Sequence, residues 1–165
     1  MKKPCVTIEL APHLHDYLYH EFGCTKDSGV IVTTTKDIGK MIQSMISISS
    51  IPPRLPLKDN PITLYLPIQE WNHFILNENF IHVPDWKQRM LQDYIEASFR
   101  IRIREYFVAG YEKGFKQDKI IKAFLLAYNI KNNAINYDAV KKYDYRNRKK
   151  IIQEVNKEIQ LSLFQ

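Results

Sequence analysis

Apolar and polar residues alternate over residues 5–10, with β-branched side chains among them, which predicts a β-strand. Pro12 then stands where it can open a helix, and the apolar spacing carries that helix to Phe22. Gly23 and Gly29 bracket a turn, and residues 30–33 predict a second short strand. Thr35 is placed to cap a helix whose Ile38, Met41, Ile42, Met45 and Ile46 share one face. Residues 1–50 therefore read as a β-α-β-α unit. Residues 51–61 contain Pro52, Pro53, Pro56 and Pro61 and predict a connector without regular structure.

The pattern then begins again. Residues 62–66 repeat the character of residues 6–10, and a proline-opened stretch with Trp71, Phe74 and Ile75 precedes a short strand at 80–83. A long helix follows from Asp85 to about Lys113, with Met90, Leu91, Tyr94, Ile95 and Phe99 on one side and Gly110 and Gly114 at the turn that ends it. Residues 62–114 thus form a second β-α-β-α unit, and an offset of 56 residues aligns it with the first. That offset suggests an internal duplication whose strands could pair in one sheet. Arg100, Arg102 and Arg104 alternate with Ile101 and Ile103, a period of two that either interrupts the helix with a strand or kink or lets arginine stems lie along apolar surface. Residues 115–158 predict two more helices, the first with Ile120, Ile121, Phe124, Leu125 and Tyr128 on one face, the second from about Tyr137, joined by a turn at 129–136. The expected fold class is α+β, dominated by helix.

Composition sharpens the division. All eight prolines lie at or before position 84, so the rest of the chain is free to be helical. The net charge of +6 is unevenly placed: residues 1–86 sum to −2 and residues 87–165 to +8. Hydrophobic residues at 45% and charged residues at 25% fit a folded globular chain and exclude a disordered one. Cys5 and Cys24 are too few to staple a chain of 165 residues and predict free, buried thiols in a reducing compartment. No apolar run reaches the roughly 20 residues of a membrane helix, and the first residues lack the hydrophobic stretch of a signal peptide, so a cytoplasmic, nucleoid-associated protein without membrane contact is expected.

The basic charge concentrates on the last predicted helix. Lys141, Lys142, Arg146, Arg148, Lys149 and Lys150 are opposed there only by Asp144, and Tyr143 and Tyr145 are interleaved. Such a density of donors suits phosphate, and tyrosines add hydrogen bonds or stacking. Two helices joined by a polar turn have the skeleton of a helix-turn-helix, whose second helix lies in the DNA major groove. Duplex DNA is therefore the expected nucleic acid, ahead of single strands.

The chain closes on residues 159–165, a tail in which Gln160, Leu161, Ser162, Leu163 and Phe164 follow one another. This pentapeptide resembles the bacterial sliding-clamp-binding motif, the short terminal or loop peptide by which polymerases, repair proteins and some plasmid and transposon proteins dock on the clamp ring. The resemblance implies that Leu163 and Phe164 enter a hydrophobic pocket, that Leu161 supports them and that Gln160 makes polar contacts at the pocket edge. The competing expectation is that the last helix simply continues, with Phe164 in a core. More loosely, the chain resembles small DNA-binding proteins of phages and mobile elements that recruit host replication machinery. Together these features point to a non-enzymatic DNA-binding accessory protein of replication or repair. One alternative is an inhibitor that occupies the clamp groove without touching DNA.

A second alternative is an enzyme. His13 and His15 form a His-hydrophobic-His pair that resembles the metal-binding part of relaxase- and transposase-type endonucleases, with Tyr143 or Tyr145 as nucleophile. A helix opened by Pro12 would separate those two imidazoles by about 200°, which disfavours the pair. Asp16 and His20, four residues apart, could share a face and bind zinc, but a hydrogen-bonded or solvated pair is the plainer expectation. No phosphate-cradling glycine loop, nucleophile elbow or two-metal carboxylate set is evident, so no cofactor and no metal is expected. Trp71 and Trp86 follow the apolar periodicity of their segments and are expected as core anchors.

Overall fold

The computed structural model describes residues 4–53, 59–67 and 79–164. Five strands and five helices run in the order β1 (Cys5–Glu9), α1 (Pro12–Phe22), β2 (Val30–Ile31), α2 (Asp37–Met45), β3 (Ser47–Ser49), β4 (Pro61–Tyr65), β5 (Phe80–His82), α3 (Asp85–Glu112), α4 (Gln117–Ala127) and α5 (Ala134–Ser162) among these residues. The chain is α+β and rich in helix, as the periodicities predict. It divides into two compact units, Met1–Glu96 and Ala97–Gln165, with the division inside α3. The second unit holds 15 basic and 7 acidic residues, so the whole excess of +8 belongs to it.

In the first unit a three-stranded sheet has the order β1-β4-β2, with β1 antiparallel and β2 parallel to β4. The register sets Val6 opposite Leu64 and Ile8 opposite Ile62, so every buried position of one strand meets a buried position of the other. Both strands, 56 residues apart, bury the same alternate positions. Their successors differ: β2 joins this sheet, whereas β5 pairs antiparallel with β3 in a separate ribbon. The ribbon strand β3 is absent from the sequence expectation, because Ser47-Ile48-Ser49 offers one apolar residue and that residue is exposed. Pairing with β5, and not burial, makes it a strand.

Backbone constraints account for the helix ends. Pro12 occupies the first turn of α1, and Gly23 closes it in the left-handed region at φ 63°, with Cys24 N–H donating to Tyr19 O at 2.9 Å. Thr35 does not cap α2: Lys36 holds the cap position, and the Thr35 hydroxyl lies 3.0 Å from that of Thr33. A Cβ at Gly39 would stand 1.8 Å from Thr33 O, so only glycine lets α2 pass this close to the preceding strand exit.

Several core expectations change. Trp86 is 62% exposed and Met90 is exposed as well, because the buried stripe of α3 in this unit is Leu91 and Ile95, and Trp86 stands about 140° and 180° away from them. The Trp86 ring instead lies beside the Lys87 ammonium, 5.5 Å from its centroid. Trp71, Phe74 and Ile75 lie outside the described residues. Both cysteines are free, yet Cys5 is exposed at an outward position of β1 and Cys24 is half-buried, so they are not buried thiols.

The second unit packs the last turns of α3 against α4 and α5. No strand interrupts α3 at its arginine run, which is helical throughout: Ile103 faces inward, Ile101 faces solvent, and the three arginines are exposed. Phe99, Phe124, Tyr106 and Tyr128 form a chain of edge-on and tilted ring contacts with centroids 4.7 to 5.9 Å apart. Gly110 lies on the last turn of α3, where its carbonyl accepts the Phe115 N–H at 2.9 Å. A Cβ there would meet Ile120 at 2.5 Å, so its bare backbone is what lets α4 approach, while Gly114, at φ 74°, makes the turn. Gly110→Ala should therefore destabilise the chain by about 1–3 kcal/mol through overpacking, less the roughly 1 kcal/mol of helix propensity it gains. Urea unfolding measures this, and Ile120→Val in the same chain should recover part of the loss.

Candidate nucleic-acid interface

The basic residues lie on α5, whose start is set by Asn133. Its side-chain oxygen accepts the Asn136 N–H at 2.8 Å, so the helix begins at Ala134, a turn earlier than Tyr137. The connection from α4 is correspondingly short, spanning residues 128–133 and not 129–136. It turns at Asn129, which takes the left-handed conformation at φ 53°, while Ile130 N–H donates to Leu125 O at 2.8 Å and the Ile130 side chain is buried.

One side of α5 is buried through Val140, Asp144, Ile151 and Val155, which fall within about 60° of helical arc. Asp144 has no exposed surface and is the centre of a polar network. Tyr111 of α3 donates its phenol to the carboxylate at 3.0 Å, the Gln117 amide of α4 donates to Oδ2, and Arg148 donates from Nε at 3.1 Å and from Nη2. The Arg148 guanidinium also lies 5.9 Å from the centroid of the Tyr111 ring. Sequence alone presents Asp144 as the lone acid among bases, whereas here it ties three helices together. The Tyr111 phenol is pushed up to about 12, first by burial and then by its hydrogen bond and proximity to the carboxylate.

The opposite side carries the basic residues. Lys142, Arg146 and Lys149 share about 60° of arc with Tyr145 adjacent, and Lys141 and Lys150 flank them. All five cationic side chains are exposed, and no ion pair among the described residues involves them. Tyr145 is 83% exposed. Two predicted contact residues behave differently. Arg148 is held by Asp144, and Tyr143 is half-buried, with its phenol pushed up by that burial. The neighbouring arginines of α3 are also engaged, Arg104 by Glu154 and Arg102 by Glu105.

The same helix continues to Ser162, whose hydroxyl donates to Ile159 O at 2.7 Å. Gln160, Leu161 and Ser162 thus lie on its last turn, and Leu163 and Phe164 follow it, turned by N–H donations to Gln160 O and Leu161 O at 3.2 Å. Phe164 is not core: it is 88% exposed and Leu163 79%. The distance along the helix axis from Lys150 to Gln160 is about 15 Å.

His13 and His15 do not converge. His13 Nε2 lies 3.3 Å from Glu96 Oε2, and His15 Nε2 lies 3.1 Å from Asn60 O, so these two imidazoles of α1 point to different partners. Asp16 is buried and paired with Lys26 at 2.7 Å. Among the described residues no group of three or more His, Cys, Asp or Glu side chains is arranged to hold a metal ion. No described helix is long and apolar enough to cross a membrane.

Comparison of the chain with protein-family models, with curated proteins and with solved structures finds no match.

Two measurements follow from the Asp144 network. Asp144→Ala should cost about 1–3 kcal/mol in urea unfolding, because the half-buried Tyr111 and Gln117 donors lose their acceptor while Arg148 can turn to water. Since the folded Tyr111 phenol titrates above its ordinary value of 10.0, its contribution is complete below pH 10 and is lost as pH rises toward 12. The stability difference between the wild-type chain and Tyr111→Phe, about 1 kcal/mol at neutral pH, should therefore shrink across that window.

Proposed function

We propose that this chain is a DNA-binding accessory protein that docks on the bacterial sliding clamp. The observation that carries the proposal is the pair of exposed surfaces along α5: unpaired Lys141, Lys142, Arg146, Lys149 and Lys150 in its middle, and Leu161, Leu163 and Phe164 bare at its end. Apolar side chains so placed gain most from a partner's pocket, and the five-residue resemblance names the clamp as that partner. Gln160 meets the pocket edge, Leu161 supports, and Leu163 with Phe164 fill it. Because these two residues follow the last helical turn, only that turn has to open for them to enter a groove.

In this reading α4, the turn and α5 act as a helix-turn-helix-like unit, with Lys142, Arg146 and Lys149 on phosphates, Lys141 and Lys150 flanking, and Tyr145 donating to phosphate or stacking on a base. Arg148 and Tyr143 are left to packing. DNA and clamp contacts on one chain reinforce each other through effective concentration. The shared burial pattern of β1 and β4 supports an internal duplication as the origin of the first unit.

The test has two arms on the full chain. Leu163→Ala/Phe164→Ala should abolish co-elution with purified clamp and leave DNA retention intact; undiminished clamp binding overturns the docking assignment. Lys142→Glu/Lys149→Glu should weaken duplex binding at least about tenfold and reduce the salt slope by about 2. An unchanged salt-dependent DNA shift overturns the DNA contact assigned to α5, and a chain that holds the clamp but retains no DNA at all would be a clamp-groove inhibitor.

A further inference from the structure

The second unit carries a groove that the proposed contacts leave unused. Tyr106, Ala109 and Gly110 of α3, Ile120 and Ala123 of α4, and Phe115 between them enclose about 390 Å³, with Lys113 and Lys119 completing the lining. Three features make it a formed site. Tyr106 is held by edge-on contacts to Phe124 at 5.3 Å and Tyr128 at 5.9 Å, so this wall is rigid. Gly110 lacks the Cβ that would press into Ile120, which fixes how closely the two helices approach at the floor. Phe115, 47% exposed, stays beside the groove with the Lys119 ammonium 5.6 Å from its ring centroid.

Charge and size define the occupant. Lys113 and Lys119 are exposed, and no carboxylate among the described residues pairs with either. The other lining groups are apolar or aromatic. A volume near 390 Å³ falls in the range of small-molecule sites. We propose that this groove binds a small anionic amphiphile, its aliphatic or aromatic body between Tyr106, Ala109 and Ile120 and its carboxylate or comparable anionic head at Lys113 and Lys119. The apolar body supplies the burial, and the two ammonium groups select the sign of the head.

Decanoate and decyltrimethylammonium, both below their micelle thresholds, are the probes, read by the alanine methyl resonances of the full chain and by calorimetry. Decanoate should bind at one saturable site, shift the Ala109 and Ala123 methyls, and bind about tenfold more tightly than the cationic probe. Lys113→Glu/Lys119→Glu should invert that preference, and Ala123→Leu, a change at an exposed position, should weaken both probes by filling the groove. Because the unit is basic throughout, Lys142→Glu/Lys149→Glu is the control and should bind decanoate unchanged. Equal affinity for the two probes, shifts spread beyond the groove, no effect of Ala123→Leu, or an equal loss in the control would each overturn the proposal.

Discussion

Taking a carboxylate out of water costs several kcal/mol unless hydrogen bonds and an opposite charge replace its hydration, and Asp144 is fully withdrawn. Its partners come from each helix of the second unit: Tyr111 from α3, Gln117 from the first turn of α4 and Arg148 from its own helix. No sliding or rotation of one helix against the others keeps all of these bonds. The apolar contacts around Phe99, Phe107 and Phe124 supply bulk burial, and they would tolerate several packings. Asp144 selects among those packings, and with that selects which arc of α5 faces out.

That selection determines the electrostatics of the surface. With Asp144 inward, Lys142, Arg146 and Lys149 stand on the opposite arc beyond the reach of any described carboxylate, while Arg148 is drawn back toward the core. The basic run is therefore not uniform. One of its six cations is structural, and the others are free to meet an anion. The raised Tyr111 phenol belongs to the same arrangement, first because burial penalises a phenolate and then because its hydrogen bond and the negative charge of Asp144 hold the proton on.

The first unit depends on a different constraint, the complementary register of β1 and β4. Val6 against Leu64 and Ile8 against Ile62 leave no alternative by one residue, because such a slip would turn one of the two apolar sets outward. Around that pair, positions where backbone must bend or approach closely are held by Gly23, Gly29 and Gly39, and Gly29 lies under the Tyr65 ring.

Local signals determined much of this chain. Pro12 and Gly23 delimit α1 to the residue, the alternation at 5–10 and 62–66 marks β1 and β4, and the absence of proline after position 84 leaves three helices. The candidate site was legible as composition: the basic residues between 141 and 150 and the apolar tail at 160–164 can be read without coordinates. What tertiary structure decided depends on contacts distant in sequence. β3 exists only because β5 pairs with it, Trp86 and Met90 face outward because Leu91 and Ile95 claim the core, and Gly110 is a packing residue because Ile120 lies against it. The roles of Asp144 and Arg148 belong to the same class. A periodicity reports which face of a helix is apolar, whereas a buried charge is tolerated only where partners from other elements meet it, and those partners, Tyr111 and Gln117, lie 33 and 27 residues away.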